Sequence, residues 1–142
     1  MTVPAATTVL GVEAPSLLAH LGLRVSPAQT AGPVVVEVDP RPDLVNAAGM
    51  LQGGVVATLI DVAGGVAAAR AASTRTVFTS DLTVHYLAAG RVGPVRAVAD
   101  VLRRGDRAVV VEVRVLDAGA ADRLMAVAVM TLTLGQPTPK AA

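Results

Sequence analysis

The chain has 142 residues, a formal net charge of +1 and hydrophobic residues at 53% of its positions, enough for one domain that buries about 70% of the surface its unfolded chain exposes. One Phe, one Tyr and no Trp imply an aliphatic core and argue against nucleic-acid binding by base stacking. The absence of cysteine excludes disulfides, thiolate metal sites and cysteine nucleophiles.

The first fifteen residues, MTVPAATTVLGVEAP, contain no basic stretch followed by an apolar run. We therefore expect no secretory signal and a cytoplasmic protein. The small net charge and the scattered arginines indicate neither a nucleic-acid partner nor an anionic membrane. We expect a single domain over residues 1–142, with a core of about 15–135 and loose termini.

Two elements are predicted before the middle of the chain. A short helix is expected from Pro15 to Leu21, because proline suits a first helical turn and Gly22 follows the last one. We expect this helix to be a lid or a packing element, with no chemical role for His20. The β-branched run from Val34 to Val38 predicts the first strand.

The stretch from Asn46 to Arg70, NAAGMLQGGVVATLIDVAGGVAAAR, is the one long helical segment. From Gly53 onward it is almost entirely apolar or small, which is typical of a core helix covered on all sides. A membrane span is disfavoured, because Asp61 and several glycines interrupt the apolar run. At about 100° per residue, the positions that share a face with Asp61 are small, which suggests that something approaches this face closely: Gly54, Ala57, Thr58, Gly64, Gly65 and Ala68.

Gln52-Gly53-Gly54 opens this helix. The first N–H groups of a helix have no partner within it and lie at the positive end of its dipole, so they can bind a developing negative charge. Asp61, two turns further along, could act on a group held there. The competing interpretation is a structural Asp61, buried against an arginine or backbone amides, and the small face around it favours function.

Four strands are predicted after the helix. The first, from Thr76 to Leu87, alternates apolar with polar residues and is expected to be half-buried. One strand, a long helix and then four strands joined by short turns predict an α+β domain with an antiparallel sheet wrapped against one helix. In the first of these strands Phe78, Leu82, Val84 and Tyr86 are expected on one face and Thr79, Asp81, Thr83 and His85 on the other; the later strands are Val92 to Arg103, Ala108 to Asp117 and Arg123 to Leu134.

The pattern Asn46-x-x-Gly49-x-x-Gln52-Gly53-Gly54, followed by Leu59-Ile60-Asp61, resembles the hotdog-fold thioesterases of the phenylacetic-acid-degradation (PaaI-like) type. The likeness covers roughly residues 34–134. It implies a hotdog fold, an antiparallel sheet around one long central helix. It also implies pairing with a second copy into a homodimer, often then a homotetramer, with active sites between subunits.

The resemblance implies an acyl-CoA thioesterase that converts small or medium acyl-CoA, aromatic or aliphatic, into acid and free CoA. It needs no metal and no cofactor beyond the CoA of the substrate. It implies Asp61 as general base or nucleophile, the Gly53 N–H as oxyanion donor and Thr79 as the residue that positions water. The other implied substrate contacts are Asn46, Gln52 and Gly54.

One position departs from the family pattern, because Gln52 stands where the family often has histidine. Glutamine forms hydrogen bonds but cannot shuttle protons at neutral pH. This leaves open a non-catalytic acyl-CoA-binding or regulatory hotdog protein, although no DNA-binding segment indicates a repressor. A hotdog hydratase or dehydratase is the third alternative. Such an enzyme is expected to have a catalytic histidine near its acid, and neither His20 nor His85 is placed near the helix start. A contact of Arg103, Arg104 and Arg107 with CoA phosphates is less favoured than a solvated turn.

Overall fold

The computed structural model describes residues 7–9, 12–14, 16–27, 32–73 and 76–135. Within these ranges the chain forms one long helix, one short helix, a six-stranded sheet and a separate two-stranded sheet. The elements are β1 (Thr7–Val9), β2 (Val12–Ala14), α1 (Leu17–Leu21), β3 (Arg24–Val25), β4 (Val34–Val38), α2 (Gly53–Ala71), β5 (Val77–Tyr86), β6 (Val95–Arg104), β7 (Ala108–Asp117), a 3-10 turn (Ala118–Ala120) and β8 (Arg123–Leu134).

Six strands form one antiparallel sheet in the order β3-β4-β6-β7-β8-β5, while β1 and β2 pair only with each other. Helix α2 packs against five of these strands, β4 to β8. It also carries the chain from β4, near one side of the sheet, to β5 at the opposite edge. This is the predicted α+β arrangement of an antiparallel sheet around one long helix.

The core lies between α2 and the facing side of the sheet. Successive side chains of a strand point to opposite faces, so the alternating valines of β7 place one side chain in two against the helix. The same alternation in β4 and β6 completes an aliphatic core, as the composition requires. Its strand residues include Val36, Val38, Val95, Ala97, Val109, Val111, Val113, Val115, Met130 and Leu132.

Helix α2 is buried on one side only. Its buried residues include Val56, Leu59 and Ile60, whereas Asp61 is exposed. The prediction of a helix covered on all sides is therefore wrong for a single chain. By length and composition α2 could cross a membrane, but its buried side packs across the sheet as the helix of a globular core does.

The glycines of α2 differ in how closely other residues approach them. A side chain at Gly64 would clash with the Sδ atom of Met130, so glycine lets the helix approach β8 at this point. Gly54 and Gly65 have nothing within 4 Å of the position of a Cβ atom. The small face predicted around Asp61 is thus divided: Gly64 and Ala68 are buried, Gly54 is exposed, and the other members are partly exposed.

Several predicted boundaries are corrected. Helix α2 begins at Gly53, as the Gln-Gly-Gly start predicts, whereas residues 46–50 of the predicted helical stretch form a turn in which Gly49 has a φ of 75°. Strand β6 begins at Val95, not at Val92, because Gly93 adopts a φ of 76° in the preceding loop. Strand β3 was not predicted, since two residues are too few to show a period. The β1–β2 pair lies in a segment expected to be loose.

Helix α1 confirms the predicted short helix. Its cap is Ser16, whose hydroxyl accepts a hydrogen bond from the N–H of Ala19 at 3.0 Å. Gly22 ends the helix with a φ of 70°, the left-handed conformation that glycine adopts without strain. The proposed start at Pro15 lies outside the described residues. Buried Leu21 and Leu23 fasten the segment to the core.

Candidate active site

The start of α2 presents free backbone donors. The Gln52 N–H donates to the carbonyl of Leu44 at 3.0 Å, and the Gln52 carbonyl accepts from Val55 and Val56. The described residues provide no acceptor for the N–H groups of Gly53 and Gly54. These groups lie in the first turn of a 19-residue helix, where its dipole favours negative charge.

Beside this turn lies a cavity of about 360 Å³, here called the β5 cavity. Its walls are mostly aliphatic and it carries few polar side chains, the usual character of a pocket for a small apolar group. Of the residues predicted for the site, Asn46 and Gly53 line it. The complete lining is Asn46, Met50, Leu51, Gly53, Val56, Tyr86, Leu87, Ala88, Ala89, Gly90 and Met125.

Asn46 also has a structural role, which was not predicted from the sequence. Its Oδ1 atom accepts hydrogen bonds from the N–H groups of Ala48 at 3.0 Å and Met50 at 3.1 Å. These bonds close the turn that precedes α2, as asparagine often does. Only the side-chain NH₂ group therefore stays free to donate to a ligand in the β5 cavity.

Tyr86 is a site residue that sequence reasoning missed. Its hydroxyl donates to the carbonyl of Gly53 at 2.7 Å. Its ring lies against the start of the helix, 3.5 Å from the position of a Cβ atom at residue 53. The predicted alternation of the strand placed Tyr86 beside Leu82 and Val84, and that period was the signal available.

The loop between β5 and β6 forms the far wall of the cavity and is held by two polar side chains. The Arg91 guanidinium donates to the carbonyl of Ala48 at 2.7 Å, which ties the loop to the turn that carries Asn46. Asp117, only 1% exposed, accepts the N–H groups of Arg91, Val92 and Gly93 at 3.0, 3.2 and 2.7 Å.

These contacts also set the ionisation of Asp117. Burial acts to raise the pKa of its carboxyl, but the backbone donors from residues 91–93 and from Gly119 outweigh burial and hold the pKa below its ordinary value. Asp117 was absent from the predicted site, since a strand-end aspartate has no distinctive sequence pattern.

Asp61 lies on the open side of α2 and has a single side-chain partner. The Thr79 hydroxyl donates to its Oδ1 atom at 2.6 Å, a short charge-assisted hydrogen bond. The Oδ2 atom has no partner among the described residues. The structure thus brings together two of the predicted site residues that are 18 positions apart.

A β-bulge in β5 makes this contact. The pairing of β5 with β8 shifts between Thr79 and Asp81, so Ser80 is an extra residue. Thr79 pairs with Leu132 and therefore lies on the helix side, as do Leu82, Val84 and Tyr86 after the bulge. The predicted faces are wrong before the bulge: Thr79 points toward α2, and Phe78, paired with Thr133, lies on the outer face.

Gln52 and Gly54 line a second cavity of about 340 Å³ between α1 and α2, here called the α1 cavity. Asp61 and Thr79 belong to the lining of neither cavity. Asp61 follows Gly53 by eight residues, which corresponds to about 12 Å along a helix. A carboxylate on one chain is therefore too distant to act on a group held at the Gly53 N–H of the same chain.

In the ranges that the structure describes, no three or more His, Cys, Asp or Glu residues are grouped in a way that could hold a metal ion.

The sequence of this chain is similar to one protein family and to a named relative. The family model described as the thioesterase superfamily matches residues 48–122. A Saccharolobus solfataricus protein named as a candidate esterase, SSO2140, is 32% identical over 87 residues, which are 61% of this chain and 62% of that protein. The match therefore spans less than two thirds of that relative.

Solved structures extend the likeness to most of the fold. Zebrafish thioesterase superfamily member 2 is 26% identical with a TM-score of 0.74, over 86% of this chain and 88% of that one. The conserved protein PA5202 of Pseudomonas aeruginosa is 29% identical with a TM-score of 0.71, over 82% and 90%. Together with the observed sheet and helix, these likenesses confirm the predicted hotdog fold.

Proposed function

This chain belongs to the thioesterase superfamily, and on that premise we propose that it is a PaaI-like thioesterase that hydrolyses small or medium acyl-CoA, aromatic or aliphatic. One observation carries the proposal: the Asp61 carboxylate, held through one oxygen by Thr79, stands on the open side of the helix whose first N–H groups are free. A base and an oxyanion site are the two parts that thioester hydrolysis requires.

The chemistry assigns a role to each part. Water attacks the carbonyl carbon while Asp61 accepts its proton, and the carbonyl oxygen becomes an oxyanion bound by the Gly53 N–H. One such donor contributes about 3 kcal/mol. The C–S bond then breaks, and the CoA thiolate takes up a proton. In the nucleophilic variant Asp61 attacks the carbonyl carbon and the C–S bond breaks, which releases the CoA thiolate. Water then hydrolyses the resulting anhydride to the free acid and restores the Asp61 carboxylate.

The separation of Asp61 from Gly53 supports a site built from two copies of the chain. We propose a homodimer, or a tetramer of two such dimers, in which Asp61 of one copy faces Gly53 of the partner subunit. Strand β5 lies at the sheet edge, and Phe78 on it is 60% exposed, as expected of an edge that pairs with another chain.

The remaining predicted residues act on the substrate. The free NH₂ group of Asn46 and the side chain of Gln52, which makes no capping hydrogen bond, would orient the thioester. The apolar walls of the β5 cavity would hold the acyl group. Gln52 takes no part in proton transfer, so Asp61 carries the whole acid–base role.

The test is release of free thiol from a panel of aliphatic and aromatic acyl-CoAs. We expect turnover by the natural protein and a fall of about 10²- to 10⁴-fold in kcat for Asp61→Asn, the usual contribution of a positioned base. Asp81→Asn is the matched control, because Asp81 is exposed on the outer face of β5. Full activity of Asp61→Asn would defeat the mechanism.

The same panel separates the alternative. If the natural protein binds acyl-CoA without turnover, it is a non-catalytic acyl-CoA-binding or regulatory hotdog protein. Gln52→His would then be the first variant to examine, since it restores the residue that the family often has.

A further inference from the structure

We infer that the α1 cavity is the subsite for the pantetheine arm of the CoA thioester and that His20 determines selectivity for that arm. The inference rests on the proposed function and adds a site to it. The cavity is lined by four residues with polar side chains among apolar ones: Leu17, His20, Leu21, Asp43, Leu44, Gln52, Gly54, Val55 and Thr58.

The location of the cavity relative to the thioester comes first. Gly53 lines the β5 cavity and Gly54 lines the α1 cavity, so the two cavities open on either side of the same helical turn. A thioester held at the free N–H groups of this turn has one substituent on each side. The mostly aliphatic β5 cavity suits the acyl group, which leaves the α1 cavity for the thiol side.

The chemistry of the arm matches the lining. Pantetheine carries two secondary amides, each with a donor and an acceptor, separated by methylene groups and a dimethyl-substituted carbon. The Thr58 hydroxyl donates to the carbonyl of Gly54 at 2.9 Å and so retains its capacity to accept. Gln52 can donate and accept, and a neutral His20 ring can do the same. Leucines of α1 supply the apolar contact.

The polar wall is held in place by Arg41. Its guanidinium donates to the carbonyls of His20 at 2.8 Å and Leu21 at 3.0 Å, which fixes the end of α1. It also binds both carboxylate oxygens of Asp43 at 3.1 and 3.2 Å. This pairing holds the pKa of Asp43 below its ordinary value. His20 Nε2 lies 4.0 Å from Asp43, so the Arg41 guanidinium holds the backbone of His20 beside a carboxylate that it also binds.

The first experiment measures binding of pantetheine itself by titration calorimetry. The variants are His20→Leu, which keeps the bulk and removes the hydrogen bonds, and His20→Gln, which restores a donor and an acceptor. We expect the Kd for pantetheine to rise about three- to tenfold in His20→Leu, the effect of one lost hydrogen bond, and to recover in His20→Gln. His85→Leu is the control, because His85 is exposed on the outer face of β5.

The second experiment compares an acyl-CoA with the S-ethyl thioester of the same acyl group, which lacks the arm. In His20→Leu the ratio of kcat/KM for acyl-CoA to that for the S-ethyl ester should fall by the same factor, through KM. An equal loss for both substrates would show a structural defect of α1 and overturn the inference. So would a pantetheine affinity that is unmeasurable, or unchanged in His20→Leu. Binding that depends on His20 without any turnover would uphold the subsite and reject the thioesterase.

Discussion

Asp61 and Asp117 are both aspartates, but one is exposed and the other is buried. Asp117 is buried and accepts three backbone N–H groups from one loop. Asp61 is exposed on α2 and accepts one hydroxyl, from a strand that lies at the edge of the sheet. The first carboxylate is fully used by the fold, whereas the second retains an oxygen for another group.

This contrast distinguishes a polar side chain that stabilises the fold from one that is available for function. A carboxylate enclosed by backbone donors stabilises a loop, and here that loop forms a wall of the β5 cavity. A solvent-exposed carboxylate that is held through one oxygen by Thr79 is suited to contact water or substrate with its other oxygen. Exchanging these two aspartates for neutral residues should therefore affect different properties of the protein.

The largest effect on stability is expected for Asp117→Asn. The amide keeps one acceptor but turns NH₂ toward backbone N–H groups, so at least one buried donor loses its partner. We expect a loss of about 2 kcal/mol in the free energy of unfolding, measured by urea denaturation. Asp61→Asn should change it by less than about 0.5 kcal/mol. Equal losses for the two variants would remove the distinction.

The pH dependence of Asp117 sharpens the same contrast. Its pKa in the folded protein is below the ordinary value of 3.8, so its contribution is complete above the unfolded pKa and is lost as the pH falls through the folded one. The difference in unfolding free energy between the natural protein and Asp117→Asn should therefore shrink only below about pH 4. A difference that stays constant down to pH 2 would contradict an ionised Asp117.

A smaller effect on activity is expected for Thr79→Val. This change removes the hydroxyl that holds Asp61 and keeps the shape of the side chain, so kcat should fall about tenfold, the value of one hydrogen bond to a charged group. Thr79→Ser keeps the hydroxyl and should retain most activity. If Thr79→Val loses activity together with folding, as judged by its melting temperature, then Thr79 supports the strand and not Asp61.

The smallest effect is expected for two adjacent glycines of α2. Gly65→Ala should raise the free energy of unfolding by up to about 1 kcal/mol, because alanine favours the helix and nothing lies near that Cβ position. Gly64→Ala should lower it by about 1 kcal/mol, since buried Met130 must shift. Thermal unfolding measures both. A loss for Gly65→Ala would mean that another chain covers the open side of α2.

Much of the fold follows from local periods in the sequence. The limits of β4, β7 and β8 agree with those expected from their β-branched runs, and the helix start at Gly53 agrees with the Gln-Gly-Gly signal. The three-residue error at β6 arose because Val92 continues the apolar pattern although Gly93 turns the chain. The face of Thr79 was wrong because a bulge depends on the register with β8, and one strand's sequence does not encode its partner.

The site shows the same division. The residues predicted from sequence lie near the start of α2 or beside its exposed side, and their catalytic and binding roles stay predictions: Asn46, Gln52, Gly53, Gly54, Asp61 and Thr79. Tyr86, Arg91 and Asp117 were missed, because their roles depend on hydrogen bonds to residues 24 to 43 positions away in the chain.

By itself the sequence determined the aliphatic core, the long helix with a single acid, and the alternating strands. These features depend on composition and on patterns that repeat every few residues along the chain. Tertiary structure alone decided which side of α2 is open, that a bulge turns Thr79 toward Asp61, and that two cavities flank the first helical turn. The physical reason is that burial, register and cavity shape arise from contacts between distant segments, which no local period records.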